Sequence, residues 1–421
     1  MLKLLPGLRQ LVHYPLSNLP NDLASGMIVA FLLIPQSMAY AVIAGVPVVY
    51  GLVAAIFPLA IYALFGGSRY LSVGPVSIAS LLAFSGVSTV AQHGSEHFLT
   101  AITLLTLIVG GMQILLSIIK FGTFFESISP AVISGFTSAA AIIIGLTQIK
   151  SLMGITMAPY RNVFDYVLEV IHHLSDSHSW TVIIGAGSLV FLMVVKRVFR
   201  SSLGPLMVIV ASSLIVGYFH LDQGGVEVIG DIPQKLPALS LEIPTISTLF
   251  SLLPSAFMIA FISFAESYAI GKTLAANDGE RLNPEQELFG LGLANITSSI
   301  TGAIPVAGAI SRTAVNHQAG GKSNISSFTT VVFVLITLLY LTPFLYFLPK
   351  TALAAIIIFA VSNLIDINGL RYYIQNDPGS AFLMLATFFA TLMVDIFAGL
   401  MVGIFLSLLV TFIKTKVWHA T

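Results

Sequence analysis

The sequence has no cysteine and few charged residues. Only 9% of its 421 residues are charged, whereas soluble domains carry about 25%. The missing thiol excludes disulfide bonds, iron–sulfur clusters, cysteine-ligated zinc and a cysteine nucleophile. The 18 basic and 18 acidic residues cancel, so no overall field attracts nucleic acid. A chain so poor in charge cannot cover a water-facing surface of this size.

Most of the sequence is apolar. Hydrophobic residues make up 57% of the chain, and the mean hydropathy is +0.96. A membrane-spanning helix needs about 20 apolar residues. The pattern predicts twelve such spans, at 22–44, 48–66, 98–119, 127–148, 179–196, 204–220, 250–273, 285–301, 325–348, 350–366, 378–395 and 397–414. These spans predict an all-α, polytopic protein of the lipid bilayer.

Two further segments, near 75–91 and 310–320, start abruptly after extended stretches rich in Gly and Pro. Pro75 is expected in the first turn of one helix and Ser311 as the cap of the other. Irregular backbone at membrane depth is tolerated only where it is buried or lines a cavity. Matched broken segments in two halves therefore indicate a transport site, and facing helix N-termini suit an anion. Ordinary kinks between close-packed helices are the alternative.

Lysine and arginine predict how these 14 segments are oriented. With the N-terminus inside, 13 basic residues fall on the inner side. Four fall on the outer side, namely Lys150, Arg161, Lys235 and Lys350. Arg312 is left within the membrane. Both termini are therefore expected in the cytoplasm, with the protein in the cell (inner) membrane.

The same count predicts the domain organisation. Residues 221–249 fall outside, between a first set of seven segments in 1–220 and a second set in 250–421. A long central connection of this kind is typical of a duplicated, inverted repeat. Residues 149–178 are expected to hold an amphipathic interfacial helix.

Polar residues inside the predicted spans are candidates for function. A charge in the membrane is expensive unless it is partnered, and Arg312 would offer planar donors to an oxyanion. Burial favours the neutral form of a carboxyl group, so Glu266 could exchange protons and couple them to an anion. Gln36 and Tyr40 share one helix face, so Gln36 could bind the substrate with Tyr40 as a wall. The alternatives are a structural Arg312 paired with a carboxylate, a permanent ion pair of Glu266 with Arg312 or Lys272, and interhelical hydrogen bonding by Gln36.

Three motifs resemble those of the sulfate permease family, which includes the animal multifunctional anion exchangers and prestin. The motifs follow in the family's order: Ile34-Pro35-Gln36-Ser37-Met38-Ala39-Tyr40-Ala41 with Ala44-Gly45-Val46-Pro47, then Glu266-Ser267-Tyr268-Ala269-Ile270-Gly271-Lys272, then Gly290-Leu291-Gly292-Leu293-Ala294-Asn295 with Gly308-Ala309-Ile310-Ser311-Arg312-Thr313-Ala314-Val315-Asn316. The resemblance covers nearly the whole chain.

This resemblance implies 14 segments in two inverted repeats of seven. Segments 1–4 and 8–11 would form a transporting core, and segments 5–7 and 12–14 a gate. It also implies an anion site between the third and tenth segments, both half-helices preceded by short extended strands, in a homodimer with elevator-like motion. Carried over by position, the site residues are Gln36, Tyr40, Val76, Ser77, Ala309, Ser311 and Arg312, with Glu266 for proton coupling.

The sequence departs from the family pattern in two places. Family members usually continue into a cytoplasmic STAS domain, which is absent here because the sequence stops at Thr421. That end fits either a trimmed chain or a natural short form. The sodium-coupled bicarbonate branch has Asp in place of Glu266 and a hydroxyl residue one turn later. Ile270 stands there in this sequence and offers no oxygen to a hard cation, so proton coupling is favoured.

The favoured function is proton-coupled uptake of a small oxyanion, with sulfate as first choice, without a cofactor. No zinc, Walker or nucleophile-elbow motif points to an enzyme. The choice of sulfate depends on the resemblance alone. A bicarbonate or dicarboxylate symporter, an uncoupled anion exchanger or channel, and a sensor or motor without transport are the alternatives.

Overall fold

The computed structural model describes residues 6–12, 14–125, 128–157, 160, 162–199, 203–233 and 246–420. These residues form mainly helices. They are α1 (Pro6–Val12), α2 (Leu19–Ile43), α3 (Val48–Ala54), α4 (Phe57–Phe65), α5 (Ser77–Val87), α6 (Glu96–Ile118), α7 (Phe121–Phe125), α8 (Pro130–Thr147), α9 (Ile149–Met153), α10 (Val163–His172), α11 (Ser179–Val194), α12 (Gly204–Phe219), α13 (Ile246–Asn277), α14 (Pro284–Ile300), α15 (Ile310–Gln318), α16 (Ile325–Ile336), α17 (Lys350–Ser362), α18 (Ile367–Asn376), α19 (Pro378–Met393) and α20 (Ile396–Ala420).

The helices supply the predicted 14 segments. Within the described ranges, eight helical segments are long and apolar enough to cross a membrane, and α5, α12, α19 and the stretch Ile396–Val410 of α20 are shorter apolar segments. The polar-rich α14 and α15 complete the set. The all-α, polytopic prediction is therefore confirmed.

Orientation across the membrane stays a prediction. Four of the basic residues behind it, Lys3, Arg161, Arg200 and Lys235, lie outside the described residues. The two sides of the membrane are therefore named relative to the N-terminus. Because successive segments cross in opposite directions, α1 and α18 lie on the side of the N-terminus. Helix α10 and the connection between α12 and α13 lie on the opposite side.

Short strands precede both half-helices, as predicted. Strands β1 (Val73–Gly74) and β2 (Ala307–Gly308) pair antiparallel. The N–H of Ala309 also donates to the Ser72 carbonyl (3.1 Å), so the pairing continues up to the start of α15. Ala309 is therefore the residue that precedes this helix, and the expectation that Ser311 caps it is wrong.

Several predicted boundaries also differ. Pro75 lies before α5, because the backbone stays extended through Val76 (φ −135°, ψ 150°). The second span consists of α3 and α4. The predicted span 350–366 ends at Ser362 and is followed by α18, a polar helix that hydropathy did not reveal. Within 149–178 the structure has the amphipathic helix α10, and its position at a membrane interface stays a prediction.

The helices pack in two groups, which correspond to the predicted core and gate. In the core, α14 packs on α4 and α6, α13 on α5 and α6, and α2 on α15 and α16. In the gate, α8 packs on α17, α19 and α20, and α11 on α12 and α17. The pair β1–β2 lies in the core, between its two halves.

Two glycines allow α6 and α14 to touch backbone to backbone. A Cβ atom on Gly110 would lie 2.7 Å from both the Gly292 carbonyl oxygen and the Ile296 nitrogen. Small residues at such crossings are typical of membrane helices, because they let backbones approach closely. The neighbouring Gly111 has nothing within 4 Å of the same position.

Gly110→Ala should therefore destabilise the core, and Gly111→Ala should not. Overpacking at a close crossing costs about 1–3 kcal/mol, whereas alanine in an open helical position gains up to about 1 kcal/mol. Thermal unfolding in detergent would measure both variants. Equal melting temperatures for the two would contradict the close α6–α14 contact.

Candidate functional site

The predicted site residues gather where α5 and α15 begin. Val76 precedes α5 and Ser77 is its first residue, while Ala309 precedes α15 and its first turn holds Ser311 and Arg312. The antiparallel pairing of β1 with β2 brings the two helix starts together. Neither start has a hydrogen bond from a capping side chain. The first N–H groups of both helices can therefore bind an anion.

Arg312 is wholly buried, and its hydrogen-bond partners among the described residues are all neutral. Its Nη1 donates to Oε1 of Gln36 (3.0 Å) and to the Pro75 carbonyl (3.2 Å), and its Nε donates to Oγ of Ser72 (3.4 Å). Its Nη2 has no hydrogen-bond partner among the described residues. The guanidinium charge therefore lies behind the two helix starts without a carboxylate to neutralise it.

The predicted alternatives that pair Arg312 or Glu266 with an opposite charge are not found. Ion pairs within the described ranges join Arg69 with Glu280, His173 with Asp176, His317 with Asp278, and Lys350 with Glu227. Neither Arg312 nor Glu266 belongs to this set. A buried charge that keeps no opposite partner points to a ligand or a proton as its partner.

The contact with Arg312 orients the Gln36 amide. A guanidinium has only donors, so the atom of Gln36 that meets it must be the oxygen. The amide nitrogen keeps its two N–H donors and has no partner in the part of the chain that the structure describes. Tyr40 lies one turn further along α2, and both side chains are 7% exposed. Arg312 can thus act on an anion through its charge and through Gln36.

Glu266 lies on α13 close to the second half-helix. Its side chain is 8% exposed, and it forms no hydrogen bond with any described residue. The hydroxyl of the next residue, Ser267, accepts the N–H of Gly308 (2.8 Å), which holds α13 against β2. A carboxyl group without a fixed partner at this position can take up and release a proton.

Ser72 was not identified from the sequence, yet it connects the two half-helices. Its N–H donates to Oγ1 of Thr313 (3.1 Å), its carbonyl accepts the N–H of Ala309 (3.1 Å), and its hydroxyl accepts from Arg312. A serine in an extended stretch gives no pattern that would single it out.

Asn295 positions the strand that leads into α15. Its Oδ1 accepts the N–H of Val306 (2.9 Å) and its Nδ2 donates to the Val306 carbonyl (3.1 Å), as a neighbouring strand would. Its Nδ2 also donates to Oε1 of Gln113 (2.9 Å) on α6. Asn295 lies in one of the quoted motifs, and the signal available in the sequence was an amide side chain within a predicted span. The structure buries this side chain completely.

Comparison with known proteins identifies related chains. The model of the sulfate permease family matches residues 19–387. Sulfate transporter 4.1 (chloroplastic) of Arabidopsis thaliana is 38% identical over 354 residues, which cover 82% of this chain and 51% of that protein. A Mycobacterium tuberculosis protein named a probable sulfate transporter is 30% identical over 387 residues, which cover 92% of this chain and 69% of that protein. The chain thus spans about half the length of the plant relative.

Solved structures share the fold. Murine Solute Carrier 26 family member A9, an anion transporter in the inward-facing state, matches 98% of this chain and 72% of its own with a TM-score of 0.91 at 25% identity. The transmembrane domain of the cyanobacterial bicarbonate transporter BicA matches 94% of this chain and 98% of its own. The TM-score is 0.79 at 21% identity, which shows a common fold. Both have two inverted repeats, which confirms the predicted architecture. With its motifs, its fold and the family match over residues 19–387, the chain belongs to the sulfate permease family.

Proposed function

We propose that this chain is a secondary transporter of a small oxyanion, with sulfate as the first candidate. The observation that carries the proposal is Arg312, buried between two helix starts with only neutral partners. An anion there would meet the N–H groups of both first turns and the partial positive ends of two helix dipoles. Relatives named sulfate transporters support sulfate, and the fold shared with a bicarbonate transporter makes bicarbonate the second candidate.

Protons are the coupling ion in this proposal, and Glu266 carries them. An ionised Glu266 would repel an anion at the helix starts, whereas its protonated form would not. Binding of the anion and binding of the proton therefore favour each other. The buried Glu266 without a fixed partner and the apolar side chain of Ile270 support protons over sodium.

Movement of the core against the gate would carry the anion across. The repeats would comprise residues 1–220 and 250–421, joined by 221–249 on the outside, with both termini in the cytoplasm and the chain in the cell (inner) membrane. Two copies would form a homodimer. The packing of the helices into two groups supports this division.

Uptake of labelled sulfate by liposomes that contain the 421-residue chain tests the proposal. We expect uptake that an inward proton gradient increases, and that unlabelled sulfate reduces more than chloride, bicarbonate or fumarate does. Stronger competition by bicarbonate would favour the second candidate. Uptake of none of these anions, or charge movement without anion flux, would contradict a transporter. So would hydrolytic activity that Ser311→Ala removes.

A further inference from the structure

Two buried serines near the site have hydroxyl groups that the described chain leaves unpaired. Ser80 on α5 is wholly buried, and Ser263 on α13 is 1% exposed. Neither hydroxyl has a hydrogen-bond partner among the described residues. Buried polar groups without a partner are rare in native proteins, because nothing compensates for the loss of their contact with water. These two hydroxyls are therefore candidates for a functional contact.

Other hydroxyls on these two helices turn back to the helix backbone. On α13, Ser251 donates to the carbonyl four residues earlier (3.0 Å). At the end of α5, Ser88 forms the same kind of bond (2.7 Å). A hydroxyl bonded in this way is satisfied within its own helix. Ser80 and Ser263 form no such bond within the described chain, so their hydroxyls are available to another side chain.

The two serines lie at a similar depth, between the site and the close contact of α5 with α13. The helices touch at Gly86 and Ser255, where a Cβ atom on the glycine would lie 2.5 Å from the serine hydroxyl. At a rise of 1.5 Å per residue, Ser80 is about 9 Å from this contact along α5, and Ser263 is about 12 Å from it along α13. Helix α5 starts at the site and α13 runs toward Glu266, so both distances point toward the site.

Glu266 follows Ser263 by three residues, which places the two side chains on one face of α13. The carboxyl group forms no hydrogen bond with any described residue, so it is as unpaired as the two hydroxyls. Rotation about the bonds of its side chain can bring the carboxyl group to Ser263 and, across the contact with α5, to Ser80. A carboxylate away from water is strongly destabilised unless other donors replace the water. The two serines are such donors.

Charged neighbours do not supply these donors. Helices α5, α6, α14, α15 and α20 and strand β2 pack against α13, and α5, β2 and α20 as far as Val410 have no titratable side chain. The carboxyl groups on the other elements are Glu96, Glu285 and Glu287. The donors there, on α13 itself and at the site are His97, His317, Arg312, Lys272, Tyr40 and Tyr268. None of them hydrogen-bonds Glu266 within the described chain.

We propose that Ser80 and Ser263 are positioning residues that hold the ionised carboxylate of Glu266 and thereby allow it to release its proton within the membrane. Each hydroxyl donates one hydrogen bond to the carboxylate. The same hydroxyls can accept from the protonated form, but a hydrogen bond to the charged form is about twice as strong. The role in transport rests on the proposed function, whereas the contact with Glu266 is measurable without transport.

Infrared titration of the 421-residue chain in detergent measures the contact. The carbonyl band of a protonated carboxyl group that Glu266→Gln removes belongs to Glu266, and its loss with rising pH reports release of the proton. In Ser263→Ala we expect the band to persist to a pH about one unit higher, which is a tenfold change in proton affinity. Ser80→Ala should shift it in the same direction. The control is Ser251→Ala, which removes a hydroxyl already bonded to the backbone and should cause no shift.

Two results would overturn the proposal. One is a band that titrates at the same pH in the unaltered chain, in Ser80→Ala and in Ser263→Ala. The other concerns Ser263→Thr, which keeps a hydroxyl and should titrate as the unaltered chain does. A shift as large as that of the alanine variant would mean that packing rather than the hydroxyl controls the proton.

Uptake by proteoliposomes tests the role in transport. Ser263→Ala should extend sulfate uptake to a pH about one unit higher and leave half-saturation by sulfate at low pH unchanged, because Glu266 is then protonated in both chains. An unchanged pH profile would overturn the role in proton release. Absence of uptake by the unaltered chain, or of any carboxyl band that Glu266→Gln removes, would contradict the proposed function instead. In the first of these cases the infrared titration still decides whether the serines hold Glu266.

Discussion

Arg312→Gln should strongly reduce anion uptake. We expect the initial rate of sulfate uptake at low sulfate to fall by about 100-fold, because charge-assisted hydrogen bonds contribute about 1.5–3 kcal/mol each and 1.4 kcal/mol is tenfold. The variant loses the positive charge behind both helix starts and the donor that orients Gln36. Proteoliposome uptake measures the rate, and the upward shift of the melting temperature by sulfate in detergent measures binding alone.

Two controls separate this effect from misfolding. Arg371→Gln removes an exposed arginine on α18 and should leave uptake unchanged. Arg312→Lys keeps the charge but not the planar fork of donors, so we expect partial uptake. Uptake by Arg312→Gln within twofold of the unaltered chain would contradict a role for Arg312 in anion binding.

A double-mutant cycle shows whether Arg312 acts through Gln36. The two side chains are in contact. The effects of substituting two contacting residues usually do not add, whereas those of distant residues do. Once Arg312 is glutamine, Gln36→Ala should weaken sulfate binding much less than it does in the unaltered chain. Fully additive losses would mean that the anion meets the arginine and the amide independently.

Glu266→Gln should uncouple anion uptake from protons. For each proton carried with the anion, one pH unit of gradient changes the accumulation ratio about tenfold, since it is worth 1.36 kcal/mol. A glutamine at this position cannot exchange a proton, so uptake should continue down the anion gradient and lose its response to the pH gradient. Sulfate accumulation at several imposed pH gradients measures the effect. An unchanged response would place the coupling elsewhere.

Glu287→Gln is the matched control, because Glu287 is a second buried carboxyl group. Unlike Glu266, it accepts the hydroxyl of Tyr62 and the N–H of Gly67 (3.0 Å). A glutamine has a single acceptor oxygen for these two donors, so one hydrogen bond is lost or reversed and we expect a loss of stability of about 1–3 kcal/mol with proton coupling retained. Loss of coupling in this variant and not in Glu266→Gln would reverse the assignment of the two carboxyl groups.

Local pattern predicted the helices better than their ends. Long apolar runs identify spans because lipid accepts only helices whose backbone groups bond internally. Ser311 was predicted to cap α15, since serine is a common cap, but the cap is Ala309, two residues earlier, whose N–H donates to the Ser72 carbonyl. Helix α18 was missed because polar residues interrupt its apolar ones, so it gives no long apolar run. At the start of α15 a tertiary contact overrides the local preference.

Scarcity of charge was enough to place this chain in the membrane and to single out Arg312 and Glu266, because each charge there needs a specific reason. The sequence alone could not decide what those two residues meet. Arg312 and Gln36 lie 276 positions apart, and no local period encodes a contact across that separation. Only the antiparallel pairing of β1 with β2 brings the two helix starts together. Among the described residues, the tertiary structure therefore decided that Arg312 keeps neutral hydrogen-bond partners and that Glu266 keeps none. For that reason we propose an anion and a proton as their partners.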